Sequence, residues 1–163
     1  MAEAPPTDEG WYVLHDLRRV DWDAWRSAAA RERERAVAEG RTFLDDAAGD
    51  GGETLVASVV GGDADLMFVH LRPALDDLSA VERQFEATEL AGYLDRADSH
   101  VAVTEVSGYV STEYFEGDED EIPAGTRRYI DSKLHPDLPE DAYVSYYPMS
   151  KRRAGEDNWY TLP

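Results

Sequence analysis

The residues whose types and spacing could do chemistry lie near the C-terminus, in the stretch YVSYYPMSKRR that begins at Tyr143. In an extended strand alternate side chains share one face. One face would then carry hydroxyls, a thioether and an ammonium group, from Tyr143, Ser145, Tyr147, Met149 and Lys151. This set suits a flat apolar ligand with carboxylate arms, because methionine packs against the plane while lysine and phenol groups donate hydrogen bonds to the anions. The same spacing also fits an amphipathic strand whose lysine lies in solvent.

The remaining polar residues do not indicate a metal site. The chain has no cysteine, which excludes thiolate ligands and disulfides. His15, His70 and His100 fall in predicted strands, where a structural role is the simpler interpretation, and no two histidines have metal-site spacing. His135, which precedes a proline, is kept as a candidate pocket residue. The acidic run GDEDE at 117–121 lacks the alternating ligands of a calcium loop and is interpreted as a solvated linker.

The charge of the chain is large, negative and unevenly placed. The 163 residues carry a formal net charge of -19, and the 16 basic residues are 14 arginines and two lysines. Residues 1–126 hold all of the net charge, whereas residues 127–163 are balanced. This composition is typical of a halophilic protein, because salt screens repulsion beyond about 3 Å at 1 M. A nucleic-acid partner is not expected, since counterion release needs a basic patch.

No segment resembles a targeting signal or a membrane span. The N-terminus MAEAPPTDEG lacks a basic region followed by an apolar one, and no run of 18 consecutive residues is apolar. The sequence therefore predicts a cytoplasmic protein of a high-salt cell, with no membrane partner.

The elements that would position the C-terminal stretch alternate along the chain. Four segments read as strands: 10–20, 54–61, 64–73 and 99–115. Two segments show helical spacing of apolar residues: 21–47 and 74–94. Asp21 or Asp23 can cap the first helix. The large apolar residues at helical spacing are predicted to lie in the core, namely Trp22, Trp25, Phe43 and Phe85.

The order βαββαβ predicts an α+β fold of the ferredoxin-like class, with a four-stranded antiparallel sheet and two helices on one face. The first domain is expected to span 1–115. Residues 116–141 are expected to form a linker, because they combine an acidic run with prolines and a glycine. Residues 142–163 then read as the opening strand of a second, incomplete domain of the same kind.

The C-terminal motif resembles that of the chlorite dismutase superfamily. The residues that carry the resemblance are YPMSKRR at 147–153 and NWY at 158–160. Within the superfamily the stretch is most similar to the coproheme decarboxylases of heme biosynthesis, whose subunits contain two ferredoxin-like domains and form rings, commonly pentamers. The resemblance implies a homo-oligomeric enzyme that converts a porphyrin substrate, iron-coproporphyrin III (coproheme), to heme b with hydrogen peroxide.

The resemblance also implies roles for individual residues. Tyr147 matches the family's redox-active tyrosine, which removes hydrogen from the β-carbon of a porphyrin propionate, so that carbon dioxide leaves and a vinyl group remains. Lys151 matches the cation that holds a propionate, and Met149 and Ser145 are assigned to the same pocket. Lys133 and His135 stand where many members carry arginine and tyrosine. Because lysine cannot form the bidentate fork of arginine, the positioning of one propionate is expected to differ.

Other family features fall outside this sequence. The iron-binding histidine of the family lies some way beyond the NWY segment, so the ligand of the heme iron is expected outside the chain. The chain is accordingly interpreted as the N-terminal part of a subunit, inactive alone. Two alternatives stay open: a heme protein with chlorite dismutase or peroxidase-like activity, and a structural half that binds no cofactor and mediates oligomer assembly.

Overall fold

The computed structural model describes residues 7–49, 51–107, 123–138 and 143–149. Its elements, in chain order, are β1 (Thr7–Val20), α1 (Trp22–Ser27), α2 (Ala30–Gly49), β2 (Glu53–Ser58), β3 (Leu66–Arg72), α3 (Leu75–Glu86), a 3-10 helix (Ala91–Tyr93), β4 (Leu94–Ser107) and α4 (Ala124–Leu134). The order of strands and helices confirms the predicted α+β class.

The four strands form one antiparallel sheet in the order β2-β3-β1-β4. The long strand β1 lies inside the sheet, where His15 is paired with Val69 of β3 on one side and with His100 of β4 on the other. The sheet is therefore of the predicted ferredoxin-like kind, and its register brings two histidines directly opposite each other.

The helices α2 and α3 cover one face of the sheet, here called the helix face. Phe43 of α2, Phe68 of β3 and Phe85 of α3 meet there in a buried cluster. The ring centroid of Phe85 lies 5.3 Å from that of Phe43 and 4.8 Å from that of Phe68. Burying a large apolar side chain contributes about 1.5–3 kcal/mol, so these contacts fix both helices on the sheet.

A buried ion pair lies within the helix face. Arg18 is 1% exposed, and its guanidinium donates to Asp16 Oδ2 at 2.6 Å and to Glu86 Oε1 at 2.8 Å. It also lies 5.0 Å from the ring centroid of Phe85. Burial alone would lower the pKa of Arg18, but the hydrogen bonds to the two carboxylates raise it. The charge is thus kept and paired inside the fold.

His70 is the second buried polar group of the helix face. Its Nδ1 lies 3.0 Å from the Thr54 hydroxyl. Burial lowers the pKa of His70 to about 4, and the positive charges of Arg72 and Arg18 act in the same direction. The imidazole is therefore neutral at ordinary pH, which supports a structural role for this histidine.

The opposite face of the sheet, here called the far face, has a separate core. Side chains alternate along β3, so Met67, Val69 and Leu71 point away from α2 and α3. They are buried together with Val13 of β1. The partly buried residues that pack against this cluster include Leu138 and Tyr146, from the C-terminal part of the chain.

The first predicted helix is interrupted in the structure. Instead of one helix over 21–47, α1 ends at Ser27 and α2 begins at Ala30, with Asp21 as the N-cap of α1. The Arg33 guanidinium donates to the carbonyl oxygens of Ala28 and Trp25, at 2.6 and 3.2 Å. Glu32 accepts from the Ala29 N–H at 2.9 Å, which satisfies a donor at the start of α2. These side chains stabilise the break.

Three further expectations differ from the structure. Trp22 is 48% exposed rather than buried, because the break in the helix removes it from a continuous apolar stripe. β4 begins at Leu94, five residues before the predicted strand. The segment expected to be a linker contains α4, whose Ile130 is buried. The domain boundaries at 115 and 141 fall outside the described residues and stay predictions.

Candidate functional site

Residues 143–149 lie against the far face through a single inward side chain. Tyr146 packs on the apolar cluster of that face, whereas Tyr147 is 70% exposed and Met149 is 82% exposed. Tyr143 and Ser145 are also exposed. The four described side chains predicted to share a face therefore all lie outward, but Val144 and Pro148, which alternation placed on the opposite face, are exposed as well. The described part of the predicted strand, 143–149, forms no strand pairing with the other described residues.

On the inward side of the segment, Tyr146 contacts two histidines for which the sequence predicted no functional role. The Tyr146 ring is stacked on the His15 ring, with centroids 4.7 Å apart and an interplanar angle of 28°. The His100 ring lies 6.1 Å from the same tyrosine ring. His100 Nε2 is 3.1 Å from Asp98 Oδ2. A signal for this contact was present in the sequence, since His15 alternates with Val13 and so belongs to the same face.

The pKa values of this cluster follow from partial burial. Burial lowers the pKa of His15, and the neighbouring His100 lowers it further. Burial raises the pKa of the Tyr146 phenol, and the negative charge of Asp98 raises it further. Both rings are thus uncharged near neutral pH. In this state the imidazole and the phenol can stack without removing a charge from water.

Lys133 and His135 lie at the C-terminal end of α4. The Lys133 ammonium lies 5.5 Å from the ring centroid of Tyr129, one turn earlier in the helix. His135 Nδ1 is 2.8 Å from Asp131 Oδ1, and the imidazole meets the Trp11 ring edge-on with centroids 5.6 Å apart. The described partners of both residues thus lie in α4 and β1 rather than in 143–149.

The close approach of α4 to β1 depends on Gly10. A Cβ atom at this position would lie 2.6 Å from Leu134 Cα and 2.6 Å from the Thr104 hydroxyl oxygen. The Thr104 hydroxyl is 2.6 Å from the Leu134 carbonyl oxygen, to which it can donate. The end of α4, and with it His135, is therefore positioned by the lack of a side chain at Gly10.

Lys151, the cation assigned to a propionate, lies outside the described residues, and so does the NWY segment. Ser145, Tyr147 and Met149 are described, but no hydrogen bond or ring contact joins them to Lys133 or His135 among the described residues. Among the described members of the predicted site, those in 143–149 and those near the end of α4 are therefore not joined by such a contact.

The exposed side chains of 143–149 fit a carboxylated porphyrin in their chemistry. Phenol and hydroxyl groups can donate to carboxylates, and a thioether packs on an aromatic plane. A cavity of about 610 Å³ between α2 and α3 fits such a ligand poorly, because Glu39, Asp45 and Asp46 line it and would repel carboxylates.

Two further findings concern the described residues alone. No group of three or more histidine, aspartate and glutamate side chains among them is arranged to hold a metal ion. None of the described helices is long and apolar enough to cross a membrane.

The chain is similar to named proteins of haloarchaea. It is 54% identical over its whole length to a "Putative heme-binding protein" of Halobacterium salinarum, and 52% identical over 96% of its length to a protein of the same kind from Haloarcula marismortui. The matched regions are 34% and 24% of those relatives. The chain thus spans about a third or less of the curated relatives it matches.

Solved structures share the fold. A heme-binding protein from Thermus thermophilus superimposes with a TM-score of 0.80 at 36% identity, over all of this chain and 64% of that one. A chlorite dismutase from Candidatus Nitrospira defluvii superimposes with a TM-score of 0.58 at 22% identity, over 64% of this chain and 44% of that one, which bears on the fold alone. The chlorite dismutase family model matches residues 33–163. Because that match covers most of the sequence, the chain belongs to the chlorite dismutase family.

Proposed function

We propose that this chain takes part in heme biosynthesis, in the oxidative decarboxylation of iron-coproporphyrin III to heme b by hydrogen peroxide. The observation that carries the proposal is the outward side of 143–149, where the Tyr147 phenol is exposed between Ser145 and Met149. The heme-binding names of relatives up to 54% identical support a porphyrin ligand. The motif YPMSKRR supports the decarboxylase among the activities of the family.

In this proposal Tyr147 is the oxidisable group next to a propionate of the substrate. Its phenol gives up a hydrogen atom and then takes one from the β-carbon of the propionate. The substrate radical then gives up one further electron to the remaining oxidising equivalent of the peroxide. The bond between the carboxylate carbon and its neighbouring carbon breaks, carbon dioxide leaves, and a vinyl group remains. Each decarboxylation removes carbon dioxide and two hydrogens from the substrate, and one hydrogen peroxide is reduced to two waters. The bound iron supplies the activation of the peroxide.

The other residues of the proposal bind and orient. Lys151 provides a charge-assisted hydrogen bond to a propionate, and Met149 packs against the porphyrin plane. Ser145 offers a hydroxyl on the same side. Lys133 and His135 are proposed as further propionate partners at the end of α4. A pentameric assembly, a cytoplasmic location and a high-salt cell remain predictions, the last consistent with the haloarchaeal relatives.

The experiment uses the full-length protein and separates chemistry from binding. Tyr147→Phe keeps the ring and removes only the oxidisable hydroxyl, so coproheme binding should persist while decarboxylation is abolished. Lys151→Ala should chiefly weaken binding, by about 1.5 to 3 kcal/mol for a lost hydrogen bond to a charged group. Tyr93→Phe, which also removes a phenol hydroxyl but from a tyrosine that packs against Trp25 outside this segment, is the matched control and should keep the parent rate.

The measurement is a peroxide titration of the coproheme complex with products resolved by mass. Conversion to heme b by Tyr147→Phe at the parent rate would remove the central support of the proposal. Conversion of chlorite to chloride and oxygen, without decarboxylation of coproheme, would assign the protein to the other activity.

A further inference from the structure

The segment 143–149 is held on the far face by its one partly buried tyrosine. We propose that Tyr146 is a positioning residue, which fastens this segment to the sheet by stacking on His15 beside His100 and thereby sets where the Tyr147 phenol points. The effect on Tyr147 rests on the proposed function, whereas the fastening itself does not.

Among the described residues, the ring stack joins the segment to the two histidines of the far face. The rings of Tyr146 and His15 lie 4.7 Å apart at 28°, and the tyrosine also packs on the cluster of Met67, Val69 and Leu71. In contrast, Tyr147 and Met149 are largely exposed. Because this side chain holds the segment on its inward side, its loss should release the whole segment.

The hydroxyl of Tyr146 does not explain why the ring is held. It is buried and has no hydrogen-bond partner among the described residues. A buried hydroxyl without a partner is unfavourable, so removing it should be neutral or favourable for the fold. The contact must therefore come from ring stacking and apolar packing, which phenylalanine would preserve and alanine would not.

The two histidines make the platform for the ring. His15 and His100 are direct partners across β1 and β4, and Asp98 lies 3.1 Å from His100. These residues and Tyr146 are the titratable groups that face one another at the stack, while β3 contributes the apolar Met67 and Val69. Since Tyr146 covers His15, the protonation of His15 reports whether the segment is in place.

The anchor also limits where Tyr147 can lie. The segment forms no strand pairing with the other described residues, and Tyr146 is its one side chain that is not exposed. Because Tyr147 follows Tyr146 directly in the chain, a ring held at 146 keeps Tyr147 next to the sheet. The anchor thereby keeps the Tyr147 phenol on the exposed side, where a ligand can reach it.

The fastening is tested by a histidine NMR titration of the 163-residue chain. In the parent chain and in Tyr146→Phe, His15 should titrate below 6.5 and its imidazole protons should show the ring-current shift of a stacked neighbour. In Tyr146→Ala the pKa of His15 should rise toward 6.5 and the shift should disappear. Tyr143→Ala removes a fully exposed tyrosine from the same segment and should change neither.

An unchanged His15 titration in Tyr146→Ala would overturn the fastening. The signal of the buried His70 on the helix face shows whether each variant keeps its fold. If Tyr146→Ala loses that signal, His15→Ala removes the stack from the strand side, and faster amide exchange at 143–149 is then the expected result. Unchanged exchange there would count against the proposal.

The consequence for Tyr147 is tested separately in the full-length protein. Tyr146→Ala should lower the rate of decarboxylation at least about tenfold, because misplaced reacting groups lose rate steeply, and Tyr146→Phe should restore it. Loss of the stack with no change in rate would overturn the positioning role, even where Tyr147→Phe is inactive. An active Tyr147→Phe would instead overturn the proposed function and leave the His15 result standing.

Discussion

His15 and Asp16 are neighbours in β1, yet their side chains lie on opposite faces of the sheet in contrasting surroundings. On the helix face, Asp16 is 3% exposed and is paired with the buried Arg18, which Glu86 also contacts. On the far face, the partly buried His15 is opposite another histidine and is covered by Tyr146, whose hydroxyl has no partner among the described residues.

The contrast separates groups that serve the fold from groups available for function. A buried charge is tolerated when it is paired and hydrogen-bonded, and the helix face meets that condition for Arg18. The far face instead carries groups that titrate and an exposed segment with oxidisable and hydrogen-bonding side chains. We therefore expect substitutions on the helix face to act on stability, and those on the far face to act on ligand chemistry.

The largest expected effect is the loss of the ion pair on the helix face. Arg18→Met keeps much of the side-chain volume but leaves the buried Asp16 with only the more distant Arg96 guanidinium, at 3.9 Å, which should lower the free energy of unfolding by about 3–5 kcal/mol. Urea denaturation measures this change. The control is Arg26→Met, which breaks an exposed pair with Asp23 and should cost about 1 kcal/mol or less. Equal effects of the two variants would remove the distinction between buried and exposed pairs.

His70 should make the fold sensitive to acid. Its pKa is about 4 in the folded state and 6.5 in the unfolded chain, so the unfolded state takes up the proton first. The stabilising contribution is complete above pH 6.5 and is lost as the pH falls from 6.5 to 4, by about 3 kcal/mol in all.

The pH effect of His70 is measured as a difference between two proteins, because many carboxylates titrate in the same range. The parent chain should lose more stability between pH 7 and pH 4 than His70→Gln does, in matched urea titrations. Parallel pH profiles for the two chains would show that His70 is not buried in its neutral form.

A smaller effect is expected where α4 meets β1. Gly10→Ala places a methyl group against the backbone of Leu134, and such overpacking should cost about 1–3 kcal/mol. It should also raise amide exchange in α4 while the helix face stays protected. Gly92→Ala is the control, since a Cβ there would meet no atom within 4 Å. Unaltered exchange in α4 would mean that the helix does not depend on this approach.

The sequence was sufficient for the order of the elements because their periodicities are strong. Alternation in 10–20 and 64–73 and helical spacing in 74–94 are local signals. The strand β1 covers the first segment, and β3 and α3 lie within the second and third. Alternation was less successful in 143–149, because the segment forms no strand among the described residues and Val144 and Pro148, predicted to lie opposite Tyr147, are exposed as well.

Features that depend on individual side-chain contacts or on strand register could not be predicted from periodicity. The helix break requires Arg33 to reach the carbonyl of Trp25, a contact that composition does not reveal. The opposition of His15 and His100 depends on the register of β1 and β4, which contains two irregularities. The helix α4 was missed because its flanking acidic run and prolines are typical of linkers.

The central claim is that the porphyrin ligand binds at the outward side of 143–149, and so on the same side of the sheet as the far face rather than on the side of the helix face. Iron-coproporphyrin III is paramagnetic, so it broadens the NMR signals of imidazoles close to it, whereas metal-free coproporphyrin III is a control that does not. Imidazole signals are assigned with His15→Gln, His100→Gln and His70→Gln in the full-length protein. The account predicts that the signals of His15 and His100 broaden first and that of His70 last, because the sheet separates it from the ligand. Broadening of His70 before the other two would contradict the account.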